Sequence, residues 1–353
     1  MKTIIAVPDF TREAHLKKVL PSVLAKLKGQ DIEIIIATGL HRPPTKKEIK
    51  TNLGNIANRV KISVHDHRSA TYFGKTKKGI PVYLNKKLKT ADSIITVGVV
   101  EPHLYAGYSG GTKVVSIGLA GEKTINATHH PRFLDDPGTR ICSIKNNPFR
   151  DFIDEASNLL PVRYSLNIVN NKTFWGKPAI SFKKAVKCSQ KIFEKKINKT
   201  FDVIICDIPK EKGVNIYQAS RAFNYVANAK GSVLKKNSLI LVKARLEEGF
   251  GKGLGERRFM NKILKMRSSG KLIKEVKKRG CLAGEHRAYM VAKAMKKAKL
   301  GFISKKAYLY KNKGLPFLSF KDTKEARAFI KQHFKKQPDI LYLKNAFPSI
   351  LTF

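Results

Sequence analysis

Residues 91–130 read ADSIITVGVVEPHLYAGYSGGTKVVSIGLAGEKTINATHH. The first ten residues are an apolar run rich in β-branched side chains, long enough for a strand buried on both faces. Glu101, Pro102 and His103 end the run. The segment AGYSGGTKVV follows, with two adjacent glycines ahead of a helix start, an arrangement that turns first-turn N–H groups towards an anion such as a phosphate. Lys113 falls in that first turn, as a counter-charge or, with its amine neutral, as a nucleophile that forms a covalent adduct. His103, His129 and His130 flank the segment.

The strand, loop and helix rhythm recurs on either side. TIIAV (3–7) is a strand, followed by Pro8-Asp9-Phe10-Thr11-Arg12 and the helical segment EAHLKKVLPSVLAKL. IEIIIA (32–37) is another, followed by Thr38-Gly39-Leu40-His41-Arg42 and by Thr45 with Glu48 three residues on, the pattern of a capping box. FDVIICDI (201–208) leads to a helix at NIYQASRAFNYV (215–226), on which Gln218 and Arg221 share a face. Ligands of open α/β sheets bind beyond the carboxyl ends of the strands, so Arg12, His41 and His103 all lie where a site is expected.

This alternation makes the chain α/β, and its 353 residues with 42% hydrophobic content suffice for two cores. The boundary is set after the basic stretch SFKKAVKCSQKIFEKKINKT, giving an N-terminal cofactor-binding catalytic domain over 1–199 and a C-terminal substrate-closing α/β domain over 200–353. Strands near SLILVKA (238–244), KLGFIS (299–304) and DILYL (339–343), with a helix at KEARAFIKQHF (324–334), build the second domain. The active site is expected in the cleft between the two, and the last residues can return to the first domain.

The net charge of +44, from 70 basic and 26 acidic residues, predicts non-specific polyanion binding at low salt. The lysines are nevertheless spread over all segments, as in KKVL, KKLK and KKAVK, with no basic arm and no RNA-binding aromatic pattern, which argues against nucleic-acid recognition as the main role. Four cysteines (Cys142, Cys188, Cys206 and Cys281) show no close pairing and no metal-site spacing, as expected of free thiols in a reducing cytoplasm. The opening MKTIIAV is too short an apolar run for a signal peptide, and nothing approaches a membrane span.

Taken together, Asp9-x-Thr11-Arg12, Gly39-Leu40-His41-Arg42, His65-Asp66, the long motif Pro102-His103-x-x-Ala106-Gly107-x-Ser109-Gly110-Gly111-x-Lys113, His129 behind it and Tyr217-Gln218 with a basic residue at 221 resemble the nickel-dependent lactate racemase family. The likeness runs over most of the chain, and the long central motif carries its specificity. It implies a nickel-pincer nucleotide, a pyridinium-3,5-bisthiocarboxylic acid mononucleotide made by separate cofactor-synthesis proteins. Lys113 would be its covalent attachment point, His129 the protein ligand to nickel, and Asp9, Thr11, Ser109, Gly110 and Gly111 further residues of the cofactor site. His41 and His103 would be paired acid/base residues, while Arg12, Tyr217, Gln218 and Arg221 would hold the substrate. The implied reaction is racemisation or epimerisation of a 2-hydroxy acid, lactate or a larger analogue. A base takes the hydroxyl proton while the pincer carbon accepts the Cα hydride, and return to the other face inverts the centre. Imidazole has the near-neutral affinity for protons that such a reversible transfer needs.

The chain departs from the family pattern in three places. Arg221 stands where lysine is usual, and a guanidinium favours a planar, bidentate grip on a carboxylate, so a substrate larger or more acidic than lactate is expected. Ser116-Ile117-Gly118 replaces a usual Pro-Gly pair, and the second half is short. Two other readings stand beside the resemblance: a metal-dependent hydrolase using the histidine cluster, and a non-catalytic polyanion-binding protein. A hydrolase needs two or three protein ligands converging on zinc, whereas this pattern commits only His129. His65-Asp66-His67 is read as support for a neighbouring histidine. His130, about 100° round a helix from His129, is read as a bystander. Gly249, Gly251, Gly253 and Gly255 form a flexible loop, since the lysine and hydroxyl of a phosphate loop are missing.

Overall fold

Every residue of Ser93–Val99 is buried, the consequence of a strand with apolar or small side chains on both faces and parallel neighbours on both edges. The structure, a computed structural model, describes all residues except 230, 312, 313, 345, 347, 348 and 353. Its contacts divide into two compact units, residues 1–129 with 133–191 and residues 130–132 with 192–353. Both are α/β.

The first unit is built on a six-stranded sheet. Its strands are β1 (Lys2–Pro8), β2 (Asp31–Ala37), β3 (Lys61–Val64), β4 (Ser93–Val99), β5 (Val162–Val169) and β6 (Lys172–Gly176), in the order β6-β5-β4-β1-β2-β3. All neighbours are parallel except the β5–β6 hairpin. Ile5, Val7, Ile34, Ile36, Ile95, Val97 and Val99 alternate along their strands and so share one face. Against it pack Leu16, Leu20 and Val23, the apolar stripe of α1 (Leu16–Ala25), each contributing about 1.5–3 kcal/mol by leaving water. Helix α2 (Lys46–Leu53) starts at the expected capping box, with the Thr45 hydroxyl accepting from Glu48 N–H at 3.2 Å and the Glu48 carboxylate accepting from Thr45 N–H at 2.7 Å. Further helices in this part of the chain are α3 (Lys113–Ser116), α4 (Glu122–Thr128), α5 (Pro148–Ser157) and α6 (Pro178–Phe193), besides the single turn Pro131–Leu134.

The second unit holds a five-stranded, fully parallel sheet of β7 (Phe201–Asp207), β8 (Leu234–Lys243), β9 (Lys299–Ile303), β10 (Leu318–Phe320) and β11 (Ile340–Leu343), in the order β10-β9-β8-β7-β11. Its core joins Val203, Ile205, Leu239, Leu241 and Ile303 to Ala326 and Ile330 of the helix Thr323–His333. Residues Glu194–Lys196 pair with Ile350–Thr352, which draws the end of the basic stretch into this unit. The helix expected over 215–226 is two pieces, α7 (Ile216–Ala219) and α8 (Arg221–Ala227), divided at Ser220. No helix among the described residues is long and apolar enough to cross a membrane.

Candidate active site

The loops after β1 and β2 bring Asp9, Thr11 and His41 together. Asp9 is buried, and its Oδ1 accepts from the Thr11 hydroxyl at 2.6 Å and from Thr11 N–H at 3.1 Å, while Oδ2 lies 2.7 Å from His41 Nδ1. Burial alone would raise the carboxyl's proton affinity. The charge and hydrogen bond of His41, with the two bonds from Thr11, outweigh burial and leave the pKa below the ordinary carboxylate value. Asp9 is therefore a carboxylate that can only accept, and His41 Nδ1 is the donor. In neutral His41 the lone pair then sits on Nε2. Arg12, one residue beyond Thr11, places Nη1 3.1 Å from Glu101 Oε2, tying the loop after β1 to the end of β4.

Beyond β4 the chain makes a miniature hairpin, with Pro102 opposite Tyr108 and His103 opposite Gly107. Gly107 has φ +70°, and a Cβ there would meet Ser143 O at 2.0 Å, so the residue must be glycine. His103 Nδ1 accepts from the N–H groups of Tyr105 and Ala106, both at 3.2 Å. The hairpin's carbonyls are bound from the start of α5. Asn147 caps that helix through its Oδ1 and donates from Nδ2 to Tyr105 O at 2.8 Å, and Arg150 donates to Ala106 O and to Tyr108 O. Arg150 is buried over the Phe182 ring, and burial, partly countered by Asp154, brings its pKa down to about 10. Phe149, between these two residues, packs against the rings of both His103 and His129.

The glycine turn lies directly on β4. A Cβ on Gly98 would come 2.8 Å from Gly110 Cα, so only this pair of glycines permits the contact. Ser109 donates its hydroxyl to Val99 O at 2.7 Å and accepts from Glu101 N–H at 3.1 Å. Gly111 N–H donates to Asn167 Oδ1 at 2.7 Å. In this structure the Ser109 hydroxyl and the Gly111 amide are thus bonded within the fold. Lys113 is the first residue of the single turn α3, as the sequence suggested, and α3 packs on β1 and β4.

His129 follows α4. Its Nδ1 lies 2.9 Å from Ile125 O, and a carbonyl can only accept, so Nδ1 carries the proton and Nε2 of the neutral ring carries the lone pair. That is the tautomer a metal ligand needs, with the other ring nitrogen held by a carbonyl. His130 groups with the second unit, where its ring lies against Gly280. His65 does not orient another histidine. Its Nε2 donates to Ala120 O and its Nδ1 accepts from Asn85 Nδ2, each at 3.0 Å, which holds the connection from α3 to α4. Burial depresses its pKa to about 4, so the ring is neutral.

In the second unit Tyr217, Gln218 and Arg221 are all buried on the α7–α8 segment. Asn215 caps it by accepting from Gln218 N–H at 2.9 Å, and Asn215 Nδ2 donates to Glu256 Oε1 at 3.0 Å. Arg221 Nε donates to Gln218 O at 3.1 Å, and Tyr217 and Arg221, four apart, share a side. The Arg287 guanidinium lies 5.4 Å from the centre of the Tyr217 ring, a second buried arginine at this cluster that the sequence reading missed. The Gly249–Gly255 run is held in place. Ile216 N–H donates to Gly249 O, and Glu256 accepts from Gly253 N–H, because the run is the cap of the helix Leu254–Leu264.

Comparisons with known proteins cover the segments that carry these residues. A profile of the lactate racemase N-terminal domain matches residues 1–141, the segment that carries Asp9, Arg12, His41, His103, Lys113 and His129. Residues 1–141 are thus similar to the N-terminal domain of lactate racemases. Lactate racemase of Lactiplantibacillus plantarum is 29% identical over 269 residues, 70% of this chain and 61% of the relative. That of Thermoanaerobacterium thermosaccharolyticum is 31% identical over 174 residues, 47% of this chain and 41% of the relative. The matched segments thus span less than two thirds of either racemase's length. The fold agrees with two solved structures. The lactate racemase apoprotein of T. thermosaccharolyticum superposes with TM-score 0.87 at 22% identity over 100% of this chain and 87% of that one. A Thermotoga maritima protein gives TM-score 0.76 at 16% identity, with 99% and 93% covered.

The sequence motifs marked the candidate side chains but not their supports. Phe149, Asn147, Arg150 and Asn167 lie 44 to 64 residues from His103 and carry no motif; only Asn147-Pro148, an N-cap followed by proline, was readable as a helix start. Among the described residues there is no group of three or more His, Cys, Asp or Glu side chains that could hold a metal ion.

Proposed function

We propose that the chain is an isomerase, a racemase or epimerase of a 2-hydroxy acid that works with a nickel-pincer nucleotide. The observation that carries this reading is the hydrogen bond from His129 Nδ1 to Ile125 O, which gives His129 the tautomer of a metal ligand in a domain without a protein-only metal cluster among its described residues. One histidine cannot fill a metal's coordination shell, and the resemblance to lactate racemases supplies the other donors as those of the cofactor. Lys113 is the residue for covalent attachment. When bound, the pincer nucleotide supplies an acceptor for the Cα hydride.

The chain's own side chains handle the rest. His41 and His103 manage the hydroxyl proton, and the Asp9 carboxylate stabilises the positive charge that His41 gains on accepting it. Arg12, Tyr217, Gln218 and Arg221 bind the carboxylate and hydroxyl, and the planar Arg221 guanidinium suits a substrate larger or more acidic than lactate. The reaction is placed in the cytoplasm, with the cofactor-synthesis proteins as partners and with nucleic acid bound only through non-specific charge.

The test is production of the protein together with the cofactor-synthesis proteins, followed by intact-mass measurement, nickel quantitation and a racemisation assay on a panel of D- and L-2-hydroxy acids. Wild type is expected to carry the adduct and nickel. Lys113→Ala is expected to lose the adduct while keeping its melting temperature, and His129→Ala to keep the organic adduct and lose nickel. The same adduct on Lys113→Ala, or unchanged nickel in His129→Ala, overturns the assignment.

A further inference from the structure

We infer that the second unit carries a binding site for a nucleoside polyphosphate, in the cavity at the amino ends of β8, β9 and β10. This goes beyond the racemase reading and does not depend on it. Tyr217, Gln218 and Arg221 follow the carboxyl end of β7, and the sheet is fully parallel, so the cavity opens at the other end of the sheet. Its volume is about 720 Å³, inside the range of roughly 300–1,000 Å³ that small-molecule sites occupy. One part of the lining is apolar, with Met295, Leu300, Leu315, Pro316, Leu318 and Phe317, the last fixed by ring contacts with Phe223 and Phe302. The other part is basic, with Lys236 from β8 and Lys296, Lys297 and Lys299 from the passage between the helix Glu285–Met295 and the start of β9. No carboxylate is among the described residues that line it.

Local structure gathers this charge. From Leu234 to Leu239 β8 takes five steps where β7, from Phe201 to Val203, takes two, so β8 bulges and Asn237 adopts φ +60°. A bulge re-aims the side chains along it. Lys235 is held by Asp202 at 2.9 Å and by Asp339 at 2.5 Å, whereas its neighbour Lys236 is exposed and lines the cavity. Lys297 is drawn off by Ala227 O, to which it donates at 2.6 Å. Lys296 Nζ stands 3.5 Å from where a Cβ on Gly270 would lie, in the first turn of the helix Ser269–Arg279, the positive end of that helix's dipole. Among the described residues Lys236, Lys296 and Lys299 make no ion pair, in contrast to Lys235. Three like charges at one cavity repel, and a multiply charged anion relieves the repulsion. Lysine meets phosphate as a point charge, so a single carboxylate engages one ammonium while a polyphosphate chain spans several. The apolar lining offers inorganic phosphate nothing. It suits the flat face of a base, and Asn237 brings a side-chain amide for the base's polar edge.

The test is calorimetric titration of the full-length protein with ATP, UTP, inorganic tripolyphosphate and adenosine, at about 0.15 M salt, where scattered surface charge is screened within about 8 Å. At least one of the two nucleotides is expected to bind saturably at one site. Tripolyphosphate and adenosine, each able to use only half of the lining, are expected to bind about tenfold more weakly or worse. The double variant Lys236→Gln/Lys299→Gln is expected to weaken the nucleotide by about tenfold or more. Lys184→Gln/Lys187→Gln, the same loss of charge on exposed residues of α6, is expected to stay within about twofold of wild type. Tripolyphosphate binding as tightly as the nucleotides reduces the site to a cluster of charge, and equal losses in the two double variants reduce it to non-specific attraction. Either result overturns the inference, as does the absence of saturable binding by both nucleotides. Photolabelling of wild type with azido-ATP keeps the question decidable if a variant melts early. Label on the peptides that hold 295–300 and 315–318 supports the site, and label confined to other segments overturns it.

Discussion

Two glycine-rich segments, Gly107–Gly111 in the first unit and Gly249–Gly255 in the second, look alike in sequence and are held by different means. Both contain glycines at positive φ, and in both a Cβ would collide with a neighbour. The first is bound from outside itself. Arg150 and Asn167 reach its Tyr108 carbonyl and Gly111 amide from distant elements, Asn147 holds the carbonyl of Tyr105 just before it, and candidate site residues stand on either side of it. The second is bound by Glu256, a residue of the helix it caps, and by a single backbone amide from outside, Ile216 N–H on Gly249 O, and none of the candidate site residues lies in it. Glycine density therefore reports a close backbone approach, not chemistry. What distinguishes a candidate site is that unrelated parts of the chain supply the polar groups that fix it.

The sharpest break of this comparison is removal of the external support. Arg150→Ala leaves the buried Tyr108 carbonyl without its side-chain donor, leaves Ala106 O with only the Tyr108 amide, and empties the space above Phe182, an expected loss of about 4 kcal/mol in urea-monitored stability. Arg150→Lys is expected to recover part of that, since an ammonium on a long stem can reach one carbonyl but lacks the fork that spans both. Glu256→Gln, the counterpart in the second unit, keeps the shape and one acceptor oxygen and is expected to cost about 1 kcal/mol. A loss under 1 kcal/mol for Arg150→Ala would mean that the hairpin stands without outside help.

How far the sequence was readable follows from the same contrast. The strand at 93–99 was legible because unbroken burial leaves an unbroken apolar run, and α2 because its capping box uses residues three apart. Lys113 and the histidines were legible because their residue types and short spacings survive in the motif. The Pro102–Tyr108 hairpin was not, since two-residue strands leave no periodic signal. Nor were Asn147 and Arg150, whose partners are backbone carbonyls some 40 residues away and so leave no trace in side-chain pattern. The run His65-Asp66-His67 was read as support for a neighbouring histidine: Asp66 Oδ1 does lie 3.6 Å from His67 Nδ1, whereas the ring of His65 bonds Ala120 and Asn85.

His65 gives a pH test of the held region. Its pKa is about 4 in the fold against about 6.5 unfolded, so between those values the unfolded chain binds more protons and stability falls as pH is lowered. The loss begins near pH 6.5, is complete near pH 4 and is on the order of 3 kcal/mol for this ring. Depressed carboxylates such as Asp66 and Asp339, each at about 2, act lower, withdrawing stability only as pH falls below about 4. His130 and His333 are also depressed and act in the same direction as His65. The His65→Gln variant therefore isolates the contribution of His65. Its stability is expected to change less than wild type over pH 6.5 to 4, by the amount above. Parallel curves for the two proteins would show that His65 titrates normally and does not hold the α3–α4 connection as a neutral ring.

The smallest expected effect compares the two segments glycine for glycine. Gly110 (φ +81°) and Gly251 (φ +86°) have the same backbone strain for an alanine, about 1 kcal/mol, and in each the new Cβ would meet a heavy atom at 2.4 Å. The neighbours differ. At Gly110 the obstacles are Val100 Cγ2 and the Val99 carbonyl, parts of the strand end on which the turn rests, and neither can retreat without moving β4. At Gly251 the obstacles are the carboxylate tip of Glu256 and Asn215 Nδ2, the ends of side chains and not backbone. Gly110→Ala should therefore cost about 2–3 kcal/mol, strain plus overpacking, and Gly251→Ala about 1 kcal/mol from strain alone. Urea midpoints of the two variants, measured with the wild type, decide it. If Gly251→Ala is the more damaging, the cap made by Glu256 is the stiffer of the two, and the difference between an externally braced turn and a self-capped one is lost.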